Sequence, residues 1–186
     1  IRALILTHGD SDHLGFAERL RHEHGVPVYV HPADAARARG EESTKPSWGA
    51  MRLGPVLRFL GYVIVKGGLR TRYLESWTEV TDGQILDAPG QPHIISLPGH
   101  SPGSIAIHVP AVDAVFVGDA LTTRNVLTGV RGPQPAPFTD DPAQAIDSLE
   151  RLRATGAKWV LPGHGAPWSR GVDAAVDAVR AARPIV

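Results

Sequence analysis

The chain has 186 residues, which is enough for one domain with a substantial buried core. Its 19 basic and 19 acidic residues cancel, so its charge gives no reason to expect nucleic acid or an acidic membrane surface as a partner. Because cysteine is absent, a disulfide framework and thiolate metal ligands are excluded. No apolar run has the length of a signal sequence or a membrane span, and we expect a cytoplasmic protein.

The first half of the chain predicts strands that alternate with helices. Short runs of β-branched residues and Leu predict strands, whereas apolar residues at helical spacing predict helices. The predicted strands cover residues 2–7 and 26–30, and the predicted helices cover 14–24 and 33–39. Residues 48–62 are apolar but contain Gly54-Pro55, which predicts a broken helix or two short ones. This segment belongs to a predicted helical insert at about 41–75, which could form a pocket wall, a lid or a dimer surface.

The second half predicts short strands followed by helices. The predicted strands cover residues 78–80, 84–86, 93–97, 104–109, 114–117 and 158–161. In 104–109 the alternation of Ile and Val with Ala and His predicts a strand that is buried on one face. Residues 121–138 predict a long irregular connection of the kind that often carries function. The predicted helices cover about 141–153, with Asp140 or Asp141 as the N-cap, and 172–182.

Four of the predicted strands end next to side chains that can bind metal ions. The seven candidate ligands are His8, Asp10, Asp12 and His13 after the first strand, and His100, Asp119 and His164 after three later strands. Strands that release His and Asp at their ends can gather ligands that lie far apart in sequence. Neutral imidazole nitrogens and ionised carboxylates suit zinc, iron or manganese, and two neighbouring ions could share the loop at 8–13. The pattern therefore predicts a metal-dependent enzyme.

These motifs resemble the signature of the metallo-β-lactamase fold superfamily. The segment Thr-His-Gly-Asp-Ser-Asp-His-Leu-Gly, which begins at Thr7, is similar to the usual His-x-His-x-Asp-His. The segment Pro-Gly-His-Ser-Pro-Gly-Ser around His100 resembles the third-His motif of the glyoxalase II-like hydrolases. The segments around Asp119 and His164 resemble the bridging-Asp and last-His motifs of the same superfamily.

The resemblance implies an α/β fold of the αββα sandwich type, with the site at one edge between two β-sheets. The motifs come in the family's order and span residues 7–165, so we expect one domain over residues 1–186. Its first strands would precede Ile1 and be absent from this chain. The resemblance also implies two ligand sets. One metal ion would be held by His8, Asp10 and His100, the other by Asp12, His13 and His164, and Asp119 would bridge the two.

Two of these residues carry further expectations. Asp12 would also be catalytic, because it would orient the nucleophile and move its proton. Asp10 stands where the family usually has His, and its oxygen and negative charge favour iron or manganese over zinc or weaken the first site. Diiron flavoproteins of the same superfamily place Glu at this position. We expect two divalent metal ions, with zinc first and iron or manganese as alternatives. Ser101 is expected to support the loop of His100 rather than to act as a nucleophile.

The predicted function is a metal-dependent hydrolase of glyoxalase II-like type, in which a metal-bound hydroxide cleaves an ester, thioester, lactone or related bond in a small molecule. Two alternatives stay open. A diiron oxidoreductase of the same fold is favoured by Asp10 but opposed by the hydrolytic third motif and by the lack of a recognisable flavodoxin-like segment. A non-catalytic metal-binding member is opposed by the complete ligand set. We expect no nucleic-acid or membrane partner, and a homodimer stays open.

Overall fold

Two β-sheets form the frame on which the candidate ligands are placed. A computed structural model describes residues 1–42, 50–65 and 70–182 of the chain. The strands β1 (Leu4–Ile5), β2 (Val28–Val30) and β3 (Thr78–Glu79) form the first sheet. This sheet is parallel and has the order β1-β2-β3. Parallel strands place their carboxyl ends at the same edge, which is where the first four candidate ligands leave β1.

Short helices connect the strands of the first sheet. They are α1 (Ser11–Leu14), α2 (Ala17–His24) and α3 (Ala35–Ala38), the last of which follows a 3₁₀ turn at Pro32–Asp34. α1 and α2 replace the single helix predicted at 14–24. The division occurs at Gly15, whose φ of +51° lies in the left-handed region and ends the first helix. α1 therefore forms a separate turn that carries two of the candidate ligands.

The second sheet lies later in the chain. The remaining strands are β4 (His93–Ser96), β5 (Ile105–Val109), β6 (Ala114–Gly118), β7 (Thr122–Arg124), β8 (Arg131–Gln134) and β9 (Trp159–Pro162). The second sheet has the order β4-β5-β6-β9, in which β4, β5 and β6 are antiparallel and β9 is parallel to β6. The remaining helices are α4 (Leu53–Val65), α5 (Pro142–Ser148), which continues as a 3₁₀ turn at Leu149–Thr155, and α6 (Val172–Ala181).

Apolar clusters hold the two sheets and the helices together as layers. One cluster lies between α2, α3 and the outer face of the first sheet. A second cluster joins the two sheets, because Ile5 and Tyr29 of the first sheet pack against Ile94 and Ile105 of the second. A third cluster lies between the second sheet and α6 with the 3₁₀ turn before β9. The order helix, sheet, sheet, helix confirms the predicted αββα sandwich.

The prediction that the strand at 104–109 is buried on one face is wrong. Ile105 and Ile107 are buried as expected, but Ala106 between them is 0% exposed. β5 lies in the interior of the second sheet, so its residues face a packed layer on both sides. Ile105 and Ile107 pack toward the first sheet, whereas Ala106 packs toward the helical layer.

Two further predictions for the second half of the chain need correction. The irregular connection predicted at 121–138 contains an antiparallel hairpin of β7 and β8. Its turn is stabilised by Asn125, whose side-chain oxygen accepts hydrogen bonds from two backbone N–H groups. The strand predicted at 84–86 is reduced to a single bridge between Ile85 and His93.

One helix replaces the broken helix predicted at 48–62, within the predicted insert at 41–75. α4 runs without a break from Leu53 to Val65. Gly54-Pro55 falls in its first turn, where the missing N–H of proline would have no helical partner in any case. The part of the prediction before residue 50 lies outside the described residues. α4 is apolar, yet none of its residues is buried. Across the described ranges, no helix is long and apolar enough to cross a membrane.

The loop that carries His100 is anchored on the start of α5. Asp141 is the N-cap, because its carboxylate accepts a hydrogen bond from Gln144 N at 2.9 Å. Asp140 N donates to His100 O (3.2 Å), and Asp141 N donates to Gly99 O (2.9 Å). Gly99 has φ +134°, and a Cβ at this position would overlap the backbone of Ala145. The absence of a side chain at Gly99 therefore lets the ligand loop lie directly on α5.

We predict that Gly99→Ala lowers the free energy of unfolding much more than Gly156→Ala does. Gly156 has φ +58° but open space around it, so its substitution should cost about 1–2 kcal/mol of backbone strain alone. Gly99→Ala adds an overlap with α5 that should cost roughly 1–3 kcal/mol more. Urea denaturation of both variants measures the difference. Equal losses would contradict the packing of the His100 loop on α5.

Candidate metal centre

The seven candidate ligands converge at one edge of the two sheets. The segment after β1 and the turn α1 supply four of them, and the loops after β4, β6 and β9 supply one each. Three overlapping groups have potential ligand atoms that all lie within 4.8 Å of one another. They are His8 with Asp10 and His100, Asp12 with His13 and His164, and His8 with His13 and Asp119. The structure thus brings together every site residue that the sequence predicts.

The first group is formed by His8, Asp10 and His100. Asp10 Oδ2 lies 3.8 Å from His8 Nε2 and 3.4 Å from His100 Nε2. The opposite ring nitrogen of His100, Nδ1, lies 3.1 Å from the hydroxyl of Thr139. Because that hydroxyl donates to Ala136 O, it must accept from Nδ1–H of His100. This hydrogen bond leaves the lone pair of His100 on Nε2, which faces the centre.

The second group is formed by Asp12, His13 and His164. Asp12 Oδ2 lies 3.2 Å from His164 Nε2 and 3.6 Å from His13 Nε2, and the two imidazole Nε2 atoms are 3.4 Å apart. Asp119 lies between the groups. Its Oδ2 is 3.3 Å from His164 Nε2, 3.5 Å from His13 Nε2 and 4.0 Å from His100 Nε2. Asp119 is therefore the residue whose oxygen faces ligands of both groups.

Burial and charge shift the pKa values of His8 and His164 in opposite directions. Burial, followed by the charge of His13, lowers the pKa of His8 to about 3. Hydrogen bonds to Asp119 and Asp12 raise the pKa of His164 to about 10. Burial alone would raise the pKa of Asp119, but hydrogen bonds from His13 and His164 outweigh it and hold that pKa well below its usual range. The carboxylates are thus ionised and attract positive charge to this edge.

The donor set fits divalent metal ions. Among the described residues, His8 Nε2 and Asp119 Oδ1 are buried without a hydrogen-bond partner. Leaving such an atom unsatisfied costs about 1–3 kcal/mol, and coordination to a cation would remove that cost. Bonds of about 2.1 Å in tetrahedral geometry separate neighbouring donor atoms by about 3.4 Å. Within the two groups, the carboxylate oxygens and imidazole Nε2 atoms are 3.2–3.8 Å apart, which is close to this value. Imidazole nitrogens with carboxylate oxygens suit zinc, iron and manganese.

Gly163 has no side chain, and this lets the side chains of Asp119 and His13 lie directly against the backbone before His164. A Cβ on Gly163 would overlap Asp119 Oδ1 and would lie 2.5 Å from His13 Cε1. Gly163 N also donates to Gly118 O at 2.7 Å, which ties the loop after β9 to the end of β6. The glycine that precedes His164 in this motif therefore has a steric reason.

Two charged residues near the ligands were missed by the sequence analysis. Asp34 is 0% exposed, and its carboxylate accepts hydrogen bonds from Gly9 N (2.8 Å), Ser101 Oγ (2.6 Å) and Gly103 N (2.6 Å). These bonds join the loop of His8 to the loop of His100, and Ser101 supports its loop as expected. Arg37 pairs with the carboxylate of Asp10. The only local signal for Asp34 is that it lies close to the start of a predicted helix. Asp is common at that position in helices that have no functional site.

An apolar wall covers the centre. A cavity of about 30 Å³ is lined by Asp10, Asp12, Asp119, His100 and His164 on one side. Phe59 of α4 and Val126, Pro137 and Phe138 of the loops around β7 and β8 line the other side. The rings of Phe59 and Phe138 are 6.3 Å apart. The polar donor atoms therefore face apolar side chains across a small space that is open to solvent near Asp12.

Comparisons with known proteins point to one family. A family model described as the metallo-beta-lactamase superfamily matches residues 1–164. A probable metallo-hydrolase of Bacillus subtilis strain 168, YflN, is 29% identical over 177 residues, which cover 90% of this chain and 65% of YflN. The uncharacterized protein Rv2581c of Mycobacterium tuberculosis strain H37Rv is 32% identical over 173 residues, which cover 88% of this chain and 68% of that protein. The chain spans about two thirds of the length of these relatives.

Solved structures give the same result. A crystal structure of TTHA1623 in a di-iron-bound form is 28% identical, with a TM-score of 0.63, and the match covers 93% of this chain and 74% of that one. The metallo-beta-lactamase family protein TTHA1429 from Thermus thermophilus is 21% identical, with a TM-score of 0.66. That match covers 96% of this chain and 59% of TTHA1429, and it shows a shared fold.

We predict that Asp34→Asn destabilises the protein and weakens the candidate centre together. The amide of Asn presents an NH₂ group to at least one of the three donors, so the free energy of unfolding should fall by about 1–3 kcal/mol. Denaturant unfolding and metal titration of the same preparation test this. Asp173→Asn is the control, because Asp173 is an exposed partner of Arg153 and should leave both quantities nearly unchanged. Unchanged unfolding of Asp34→Asn would contradict the role of this carboxylate.

Proposed function

We propose that this chain, which belongs to the metallo-β-lactamase superfamily, is a hydrolase that depends on two divalent metal ions. The observation that carries the proposal is the convergence of two groups of ligands, each with one Asp and two His, on either side of Asp119. A similar protein is named as a probable metallo-hydrolase, which supports the same reaction class.

In this proposal each ligand group holds one ion. His8, Asp10 and His100 would hold the first ion, Asp12, His13 and His164 would hold the second, and Asp119 would be available to both. Bound divalent ions would supply a Lewis acid and would lower the pKa of water from about 15.7 to about 7. The chain supplies the fixed donor atoms, and the hydrogen bond between His100 and Thr139 keeps one of them in the binding tautomer.

Asp12 is proposed to have a second role as the catalytic carboxylate. Its side chain is 54% exposed and lines the cavity, whereas the side chain of Asp119 is only 6% exposed. Partial desolvation by the cavity walls would raise the pKa of Asp12, but the hydrogen bond to His164 and the charge of His13 outweigh it and lower that pKa. Asp12 is therefore ionised at neutral pH. It can orient a water molecule and accept its proton as the water attacks a carbonyl carbon.

The proposed substrate is a small ester, thioester or lactone, as in glyoxalase II-like hydrolases. The apolar side chains of Phe59, Val126, Pro137 and Phe138 face the carboxylates across the cavity. They can pack against an apolar acyl group and exclude water from the reacting carbonyl, which strengthens the electrostatic interactions there. Zinc is the proposed metal because both groups are rich in imidazole.

A diiron oxidoreductase is the second candidate. Asp10 adds a carboxylate to the first group, and TTHA1623, which is similar over most of this chain, has a di-iron-bound form. Elemental analysis of the purified protein, together with a panel of ester, thioester, lactone and phosphoester substrates, separates the two candidates. Bound iron with reduction of oxygen or nitric oxide and without hydrolysis would select the oxidoreductase.

We predict that His100→Ala and Asp119→Ala remove metal and activity together. Each variant loses a donor atom that no other described residue replaces, so metal content should fall to one ion or fewer. Hydrolysis should fall at least about 100-fold, because the polarising ion is lost. His93→Ala is the matched control, since His93 lies in β4 and packs against His108 outside the site. Full metal content and turnover in Asp119→Ala would show that Asp119 is not a shared ligand.

We predict a different outcome for Asp12→Asn. The amide oxygen can still coordinate an ion, but the amide cannot accept the proton of water. The value of kcat should therefore fall about 10²–10⁴-fold, which is the usual contribution of a positioned general base. Metal content should fall less than in Asp119→Ala. Asp147→Asn, an exposed change on α5, is the control. A normal kcat in Asp12→Asn with both ions bound would limit Asp12 to coordination.

A further inference from the structure

The two oxygens of Asp10 face different partners. Oδ2 faces the centre, at 3.4 Å from His100 Nε2 and 3.8 Å from His8 Nε2. Oδ1 accepts a hydrogen bond from one Nη of Arg37 at 3.1 Å. A carboxylate whose second oxygen is engaged in this way presents a single oxygen to an ion in the centre.

Arg37 is fixed on both sides. Its side chain is only 7% exposed, and its other Nη pairs with the carboxylate of Asp140. Asp140 is itself fixed beside the first ligand group, because its N–H donates to His100 O at 3.2 Å. Burial would lower the pKa of Arg37, but the charges of Asp10 and Asp140 outweigh it, so the guanidinium stays charged. The planar fork of Arg37 is thus held in one orientation toward Asp10.

This arrangement is specific to the first ligand group. Among the described residues, Asp12 forms its ion pairs with His13 and His164 and has none with an arginine or lysine. A buried arginine is costly unless carboxylates pair with it. The burial of Arg37 beside Asp10 therefore has an effect on the first group that the second group does not share. It offsets the negative charge of the Asp10 ligand and engages one of its oxygens.

We propose, on the basis of the ligand groups assigned under the proposed function, that Arg37 is a positioning residue that sets the metal preference of the first site. By engaging Oδ1, Arg37 keeps Asp10 a one-oxygen ligand. Together with His8, His100 and the shared Asp119 this would make two nitrogens and two oxygens, the four-donor set that suits tetrahedral zinc. Binding through both oxygens of Asp10 would add an oxygen donor and favour six-coordinate manganese or iron. Arg37 thus counteracts the shift away from zinc that Asp10 alone would cause.

The test is a double-mutant cycle on metal preference rather than on activity. Zinc and manganese are titrated in competition into metal-free wild type, Arg37→Met, Asp10→His and the double variant. Arg37→Met should lower the ratio of zinc affinity to manganese affinity at the first site by about 10–100-fold, the usual effect of losing a residue that orients a ligand. In the Asp10→His background the same change should leave the ratio unaltered, because Oδ1 no longer exists. Cobalt absorption spectra should report a higher coordination number in Arg37→Met alone.

Two further variants keep the test decisive. Arg39→Met is the matched control, since Arg39 pairs with Glu41 at the surface and the change removes the same kind of side chain as Arg37→Met, so its metal preference should stay close to that of wild type. Arg37→Lys keeps the charge but loses the planar fork, so it should shift the preference in the same direction as Arg37→Met, and it carries the test if Arg37→Met does not fold.

The outcomes separate this proposal from the proposed function. A wild-type protein that binds neither zinc nor manganese would contradict the proposed function itself. If wild type binds two ions but Arg37→Met and Arg37→Lys keep its metal preference, only the role of Arg37 is overturned. An equal shift in the wild-type and Asp10→His backgrounds would also overturn it, because Arg37 would then act through the fold and not through Oδ1.

Discussion

One buried carboxylate links the two halves of the candidate centre. Asp34 follows a strand of the first sheet, yet its oxygens accept hydrogen bonds from Gly9, in the first ligand loop, and from Ser101 and Gly103, in a loop of the second sheet. The side chain is shielded from water, so its polar oxygens are stable there only with hydrogen-bond donors in place. The distance between the two ligand loops is consequently set by the reach of one short side chain.

The overall charge of the chain hides a strong local imbalance. The chain is neutral as a whole, but Asp10, Asp12 and Asp119 lie at one edge of the sandwich with imidazoles between them. Within this edge the two ligand groups have the same composition but different surroundings, because Arg37 pairs with Asp10 while Asp12 lies at the exposed side of the cavity. The charge of the Asp10 carboxylate is thus balanced by an arginine, whereas the Asp12 carboxylate of the second group is accessible from the cavity.

Local patterns in the sequence predict most of the strands and helices and all seven candidate ligands, whereas the layers are implied by the resemblance of the ligand motifs to a known family. Short apolar runs predict strands, and the residues that follow them lie at a common edge. It does not predict Asp34 or Arg37, since their partners lie 25 to 103 residues away along the chain and only the packed sandwich brings them into contact. The continuity of α4 was missed for a different reason. A proline breaks a helix or starts one according to its place in the first turn, and a sequence pattern locates a helix end only to within a few residues.

Part of the apolar wall over the cavity comes from a helix that contributes little to the folded core. Phe59 belongs to a helix that buries none of its residues, whereas the ligands project from strands that the core holds in place. Mutations in that helix can therefore alter what fits above the candidate ligands at a small cost in stability. In the proposed hydrolase, evolution could change substrate choice through this helix while the ligand residues stay the same, and laboratory selection for a new substrate has a natural starting point there.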